Sequence, residues 1–225
     1  MTTFPGISPV IKNYNRAENA FFSRIVTVPL SQEKNVVCKP LVFEGQTVEE
    51  GQIIAESEDS LKAKIHSPVP GKVIDFISVK NPDGRPVVAV RIKFEGSFSY
   101  TGKQRIETNW KELSPSSIQK TLSEMGIINT YHVMEVVSLS QQVNKARQTK
   151  IKNVAVRLFD EDPVRITDTL ISKLYSEEIL VGARIIAKAI DAEQIIYFFG
   201  NKKSAESSFI SKDYLKNEKI VVMNS

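Results

Sequence analysis

Residues 37–79 read VCKPLVFEGQTVEEGQIIAESEDSLKAKIHSPVPGKVIDFISV. Gly45 and Gly51 each sit between short apolar runs, and the acidic pair Glu49-Glu50 stands just before the second. There follow strand-like KAKIH, the turn Ser67-Pro68, and Gly71 at the head of another apolar run. Glycine supplies the positive φ that tight turns need, and proline fixes φ where a turn begins. Short strands at close spacing between such turns predict a small, tightly folded β unit.

The spacing resembles the barrel-sandwich fold of lipoyl and biotinyl carrier domains, in which a lysine at a hairpin tip takes the cofactor. Here that tip position is Ser60, and Lys62 and Lys64 fall beyond it, in the strand. The resemblance therefore extends to the fold and not to swinging-arm chemistry. A fuller match takes in FPGISP (4–9), VPLSQ (28–32), KPLV (39–42), residues 45–56 and IHSPVPGKV (65–73). Their order and spacing resemble the N-terminal half of the C subunit of the Rnf electron-transport complex, over residues 4–95. That family usually reads GGIHPP, PLSQHIG, VGDxVxxGQxIAE and IHAxVSGxV. The chain is also similar to the A subunit of the sodium-pumping NADH:quinone reductase. It departs from the Rnf pattern at Ser8, where His is usual, and at Glu33-Lys34-Asn35, where His-Ile-Gly is usual.

Composition sets bounds on this reading. The chain has 225 residues, 41% of them hydrophobic and 25% charged, which is ordinary for a packed globular protein. A net charge of +4 is too diffuse to argue for nucleic acid. The basic residues Lys145, Arg147, Lys150 and Lys152 have no aromatics between them to act as stacking platforms, and read as a solvated face. The single cysteine, Cys38, excludes an internal disulfide and a cysteine-ligated iron–sulfur cluster, and is expected to be a buried small hydrophobe in a strand. No apolar run approaches the roughly 18 residues of a membrane span. The first residues, MTTFPGISPV, lack the pattern of a secretory signal. The expected location is cytoplasmic, peripheral at the membrane only through partners.

Along the chain, residues 1–24 read as an extended lead-in whose Phe4, Ile7, Val10 and Ile11 pack across the β unit. The first strand is expected at 24–28, ended by Pro29. His66 shares a strand face with Lys62 and Lys64 and is read as exposed or partly covered. Asn81-Pro82-Asp83-Gly84 predicts a turn. The following strand, 88–94, puts Val88, Val90, Ile92 and Phe94 on one face and closes a β domain at 1–95. Residues 96–112 are polar and turn-rich, and are read as a linker. Residues 113–225 are read as an α/β domain. Ser114-Pro115 opens a helix with Ile118, Leu122 and Met125 in its core stripe and Gly126 as its stop. Residues 127–150 admit helix or strand. A central parallel strand is expected at 154–159. Next comes a helix capped by Asp162-Pro163 and striped by Ile166, Leu170, Ile171 and Leu174. A second helix, opened by Ser176-Glu177-Glu178, buries Ile179, Ala183, Ile186 and Ile190. A strand at 194–199, a short helix near 204–210 and a strand at 219–223 complete an α/β layered domain with a mainly parallel sheet.

Phosphate-binding α/β domains place glycines at a strand-to-helix turn, because backbone N–H groups must approach the phosphate closely. After Gly102 only Gly126, Gly182 and Gly200 occur, each isolated. The Rnf resemblance implies a second domain related to the Rossmann-like flavin- and NADH-binding subunit of respiratory complex I. Where that family carries the loop GxGGAGFPT, this chain has Ile128-Asn129-Thr130-Tyr131-His132. Where it carries AECEP, this chain has Phe159-Asp160-Glu161-Asp162-Pro163. The acidic trio has two readings: helix-capping, solvated acids at a strand end, or a remnant ligand or cation site at the carboxyl edge of the sheet. Asn129, Thr130, Asp160, Glu161 and Asp162 are the remnant-pocket candidates. No residue is assigned a catalytic role.

The resemblance thus implies a two-domain α+β protein: an all-β barrel-sandwich hybrid of lipoyl/biotinyl type, then an α/β domain. Its implied role is a binding or assembly component of a membrane electron-transport complex acting on NADH, ferredoxin or quinone. No FMN, NADH or Fe–S site is expected, and integral membrane redox subunits are the implied partners. The family's cysteine-rich cluster domain has no counterpart in these 225 residues. The alternative is a diverged flavin- or NADH-dependent oxidoreductase subunit, which the missing loop glycines argue against.

Overall fold

The structure is a computed structural model. It describes residues 21, 23–33, 35–59, 62–81, 84–98, 108–130, 136–161, 166–208, 210 and 216–223. The expectations for Phe4, Ile7, Val10 and Ile11, for the hairpin tip at Ser60 and for most of the 96–112 linker lie outside these residues. So does the expected Asp162-Pro163 cap.

The chain forms two compact units that divide between Thr149 and Lys150. In the first, β1 (Ile25–Pro29), β2 (Lys39–Pro40), β3 (Thr47–Val48), β4 (Ile53–Glu56), β5 (Ile65–His66), β6 (Gly71–Lys80) and β7 (Pro86–Phe94) form two antiparallel sheets. Their strand orders are β1-β7-β6-β3 and β2-β4-β5. Both sheets feed one core: Val28, Val48, Val73, Val90 and Ile92 from the first, Ile54, Ala55 and Ile65 from the second, with Leu30, Val36, Cys38, Val42 and Val69 from the connections. This is the β-rich unit expected from the turn spacing.

Gly45 and Gly51 take φ of 86° and 75°, as their turn positions require. Gly71 is needed for a different reason. It lies in β6 opposite Phe94, where an added Cβ would meet the Lys93 carbonyl oxygen at 2.1 Å, so close strand approach and not positive φ excludes a side chain. Asn35, at the family's usual glycine, keeps the left-handed conformation with φ 58°, which asparagine tolerates. Cys38 is buried but lies between β1 and β2 rather than in a strand. In β7 the expected face is only half right. Val90 and Ile92 are fully buried, but Val88 is 49% exposed and Ala89 takes an interior position. The ladder is irregular between Val73 and Asp75, where β6 is bulged, and such an irregularity shifts which residues face the core.

Helix α1 (Pro115–Glu124) starts as expected, with the Ser114 hydroxyl accepting from the Ser117 N–H at 3.1 Å and Pro115 at the first position. Ile118 and Leu122 are buried. Met125 is 67% exposed, contrary to the expected stripe, because the helix ends at Glu124 and Gly126 turns the chain at φ 66°. The buried position at that end is Ser123. The segment left open as helix or strand contains both: β8 (Ile128–Asn129) pairs with β9 (Val137–Ser138), and α2 (Leu139–Gln148) follows. These elements belong to the compact unit of the β sheets, whereas composition placed the division at 96–112. The physical reason is a set of long-range hydrogen bonds described below.

The second unit carries β10 (Asn153–Arg157), α3 (Thr167–Leu174), α4 (Ser176–Ile190), β11 (Gln194–Phe199), α5 (Lys202–Ser207) and β12 (Glu218–Val222). The described strands are parallel in the order β10-β11-β12, so β11 and not β10 is central. Ile195, Tyr197 and Phe199 of β11 pack with Leu158, Leu180, Ala183, Ala205 and Ile210. Among the residues expected to stripe α3, Ile171 and Leu174 are 43% and 40% exposed. In α4, Ala183 and Ile190 are buried as expected, and Leu180 and Ala189 are buried with them.

Candidate functional site

Strand β10 ends at the carboxyl edge of the parallel sheet, and Leu158 N–H continues its ladder to the Phe198 carbonyl at 2.9 Å. Asp160 follows two residues later. Its Oδ1 accepts the Asp168 N–H at 3.0 Å and its Oδ2 accepts the Thr169 N–H at 2.9 Å. Those amides open α3 and have no partner within the helix, so the carboxylate caps it and sits at the positive end of its dipole. Asp160 thus binds the N-terminal end of α3, which begins at Thr167.

Arg157 stands beside this cap. Its guanidinium lies 3.0 Å from Glu161 Oε1 and 2.8 Å from Asp168 Oδ2. Glu161 and Asp168 thus bind an arginine, and Asp160 binds a helix end. A phosphate approaching α3 would have to displace the chain's own carboxylate from the amides that such folds offer to phosphate. Among the described residues no cluster of three or more His, Cys, Asp or Glu is placed to hold a metal ion.

The five candidate residues are divided between the two units. Asn129 lies in β8, where its amide donates to Gln142 Oε1 at 3.1 Å, and exposed Thr130 follows it. Asp160 and Glu161 lie in the second unit, and Asp162 is outside the described residues.

A second ionic cluster left no local signal in the sequence. Glu218, at the start of β12, has a fully buried side chain held by Arg184 of α4 through Nε at 2.8 Å and Nη2 at 3.0 Å. The Tyr197 hydroxyl stands 3.4 Å away. Burial, then the Glu218 charge, pushes that phenol well above its ordinary value, with Arg184 acting in the opposite sense. The cluster ties β12 to α4 across 34 residues of sequence, a separation no periodicity reports.

In the first unit, the lysine nearest the carrier-type tip is not free to swing. The Lys62 side chain is 18% exposed, and its ammonium donates to Gln141 Oε1 at 2.7 Å. His66 is half-buried, against Gly126. Burial first, then the charges of Glu33 and Glu56, pushes the Cys38 thiol up to about 11, so it is a poor nucleophile at neutral pH.

Comparison with known proteins adds the family context. Residues 10–97 match the family model described as the RnfC barrel sandwich hybrid domain. The chain is 27% identical over 173 residues to the C subunit of the proton-translocating ferredoxin:NAD(+) oxidoreductase complex of Clostridium ljungdahlii, covering 75% of this chain and 36% of that protein. It is 26% identical over 203 residues to the C subunit of the ion-translocating oxidoreductase complex of Methanosarcina acetivorans, covering 88% and 42%. The corresponding protein of Rhodobacter capsulatus is 25% identical over 184 residues, with 80% and 34% covered. The chain therefore carries an N-terminal RnfC-like domain at low identity, and spans under half the length of these relatives. Among the described residues, no helix is long and apolar enough to cross a membrane.

Proposed function

We propose that this protein is a binding or assembly component of a membrane electron-transport complex, related to the RnfC-type proteins of ion-translocating oxidoreductases and without catalysis of its own. The observation that carries the reading is the capped α3. The chain aligns with its RnfC-type relatives over most of its length, yet the helix end at the sheet edge is filled by Asp160. In this reading the barrel supplies a rigid docking surface, and the α/β unit is a Rossmann-like scaffold whose anion position is taken by an internal carboxylate. The protein acts at the cytoplasmic face, held peripherally by integral redox subunits. Asn129, Thr130, Asp160, Glu161 and Asp162 are the remains of a pocket rather than a working one. Affinity to the Rnf lineage, over the A subunit of the sodium pump, is supported by the relatives named above.

The test is purification of the tagged chain from its own cells in mild detergent, with titration of the isolated protein by FMN and NADH. Stoichiometric recovery with integral membrane redox subunits, and no rise in melting temperature with either ligand, is the expected result. A ligand that binds only the folded state must raise that temperature. A yellow protein, or a clear upward shift, replaces this reading with that of a diverged oxidoreductase. Recovery only as a free protein removes the assembly role.

A further inference from the structure

The loop after β1 carries a carboxylate at the position where the family usually has histidine. Glu33 is 4% exposed. Its Oε1 accepts the Ala63 N–H at 2.7 Å, and its Oε2 accepts the Ser138 N–H at 2.8 Å. Lys62 Nζ lies 3.8 Å from Oε2. Ser138 is the N-cap of α2, so the negative charge also sits at the favourable end of that helix. One side chain thus joins segments 30 and 105 residues away from it.

Other bonds converge on residues 62–64, just ahead of β5, where the sequence pattern places strand. The Ser123 hydroxyl of α1 donates to the Lys62 carbonyl at 2.7 Å, and Lys64 N–H donates to the Ser123 carbonyl at 3.1 Å. With Lys62 bound to Gln141 of α2, residues 62–64 are strapped from both helices. Beside them lies a cleft of about 380 Å³ whose lining includes Glu56, Lys64, Lys120 and Glu124. The barrel core, in contrast, is complete without the helices, because none of Ile118, Leu122 or Val143 belongs to it.

We infer that Glu33 is a latch: it holds helices α1 and α2 closed over residues 62–64, and the two helices open together, without the barrel, when the carboxylate is removed. Taking the carboxylate away removes the Glu33 acceptor from the buried Ala63 and Ser138 amides and the nearby counter-charge from Lys62, whose bond to Gln141 remains, and this penalises the closed state and not the barrel. Local opening of this kind is expected where a segment is held by hydrogen bonds to a core that stands by itself. Opening uncovers Lys62 and takes away the wall that α1 gives the charged cleft, so the latch sets access to Lys62. The inference is independent of the assembly role proposed above.

The experiment is limited acetylation of the full chain with an N-hydroxysuccinimide ester, read lysine by lysine by mass spectrometry. Exposed Lys39 and Lys202 are internal references. Amide hydrogen exchange is followed in parallel. In Glu33→Ala, Lys62 labelling relative to Lys202 rises about tenfold or more, and Ala63 and Ser138 amides exchange fast while Val90 and Ile92 stay protected. Glu33→Gln, which keeps one acceptor oxygen, gives a smaller rise. Should Glu33→Ala fail to fold, Glu33→Gln is read by the same criteria. Unchanged Lys62 labelling overturns the inference, as does loss of Val90 and Ile92 protection in step with Ser138. Wild-type Lys62 reacting as fast as Lys202 overturns it as well.

Discussion

Replacing Gly126 with alanine tests whether α1 is seated directly on β5. At φ 66° an alanine pays about 1 kcal/mol for the left-handed conformation. Its Cβ would stand 2.3 Å from the Lys64 carbonyl oxygen and 2.9 Å from His66 Nδ1. The first contact is with backbone, so the end of α1 must move away. That movement strains the Lys64-to-Ser123 and Ser123-to-Lys62 hydrogen bonds, each contributing about 1 kcal/mol. The expected loss is about 3 kcal/mol, or about 1.5 M in urea midpoint at a slope of about 2 kcal/mol/M. Gly84→Ala is the control. Its φ is 82°, but nothing lies within 4 Å of the added Cβ, so only the conformational cost of about 1 kcal/mol applies, a shift of about 0.5 M. The assay is equilibrium urea unfolding followed by fluorescence of Trp110, the single tryptophan, just ahead of α1 in the same unit. A Gly126→Ala shift no larger than that of Gly84→Ala would refute the close seating.

Three further outcomes are expected. Arg184→Met leaves the buried Glu218 carboxylate without its counter-charge, and costs about 3–5 kcal/mol, whereas adding Glu218→Met recovers much of the loss; thermal unfolding by circular dichroism with exchange of β11 amides measures both. Asp160→Ala removes the α3 cap at a cost of about 1 kcal/mol, while Glu161→Ala, whose bond to Arg157 lies at the surface, costs about 0.5 kcal/mol or less; paired denaturation curves separate them. The Arg91 guanidinium hydrogen-bonds Asp75 and holds its carboxyl below the usual carboxylate value of 3.8. A depressed carboxylate stabilises the fold above its unfolded value and loses that contribution as pH falls through the folded one. Asp75→Asn therefore narrows its gap to the wild type as pH is lowered from 5 through the acid limb, and an unchanged gap in melting temperature at every pH argues against the pair.

The barrel was legible because its determinants are local. Turn glycines at 45 and 51, the Ser114-Pro115 helix start and the Gly126 stop depend on backbone conformation over a few residues, and so leave short motifs. The strand–helix alternation after Lys150 gave the parallel sheet in the same way, although β11's central place and the outward turn of Ile171 and Leu174 depend on neighbours far along the chain. At the candidate site, the acid pattern at 160–162 suggested capping, but spacing could not say which acid reaches the α3 amides. That choice rests on the placement of the Asp168 and Thr169 amides against Asp160. Glu33 shows the limit most clearly. In sequence it is one polar residue in a loop, at odds with the family pattern. Only folding brings it to Ala63 and, 105 residues onward, to Ser138, where a buried carboxylate must find donors and in doing so ties the start of α2 to residue 63. Periodicity records which residues leave water, but the partner of a buried charge is fixed by tertiary contact alone.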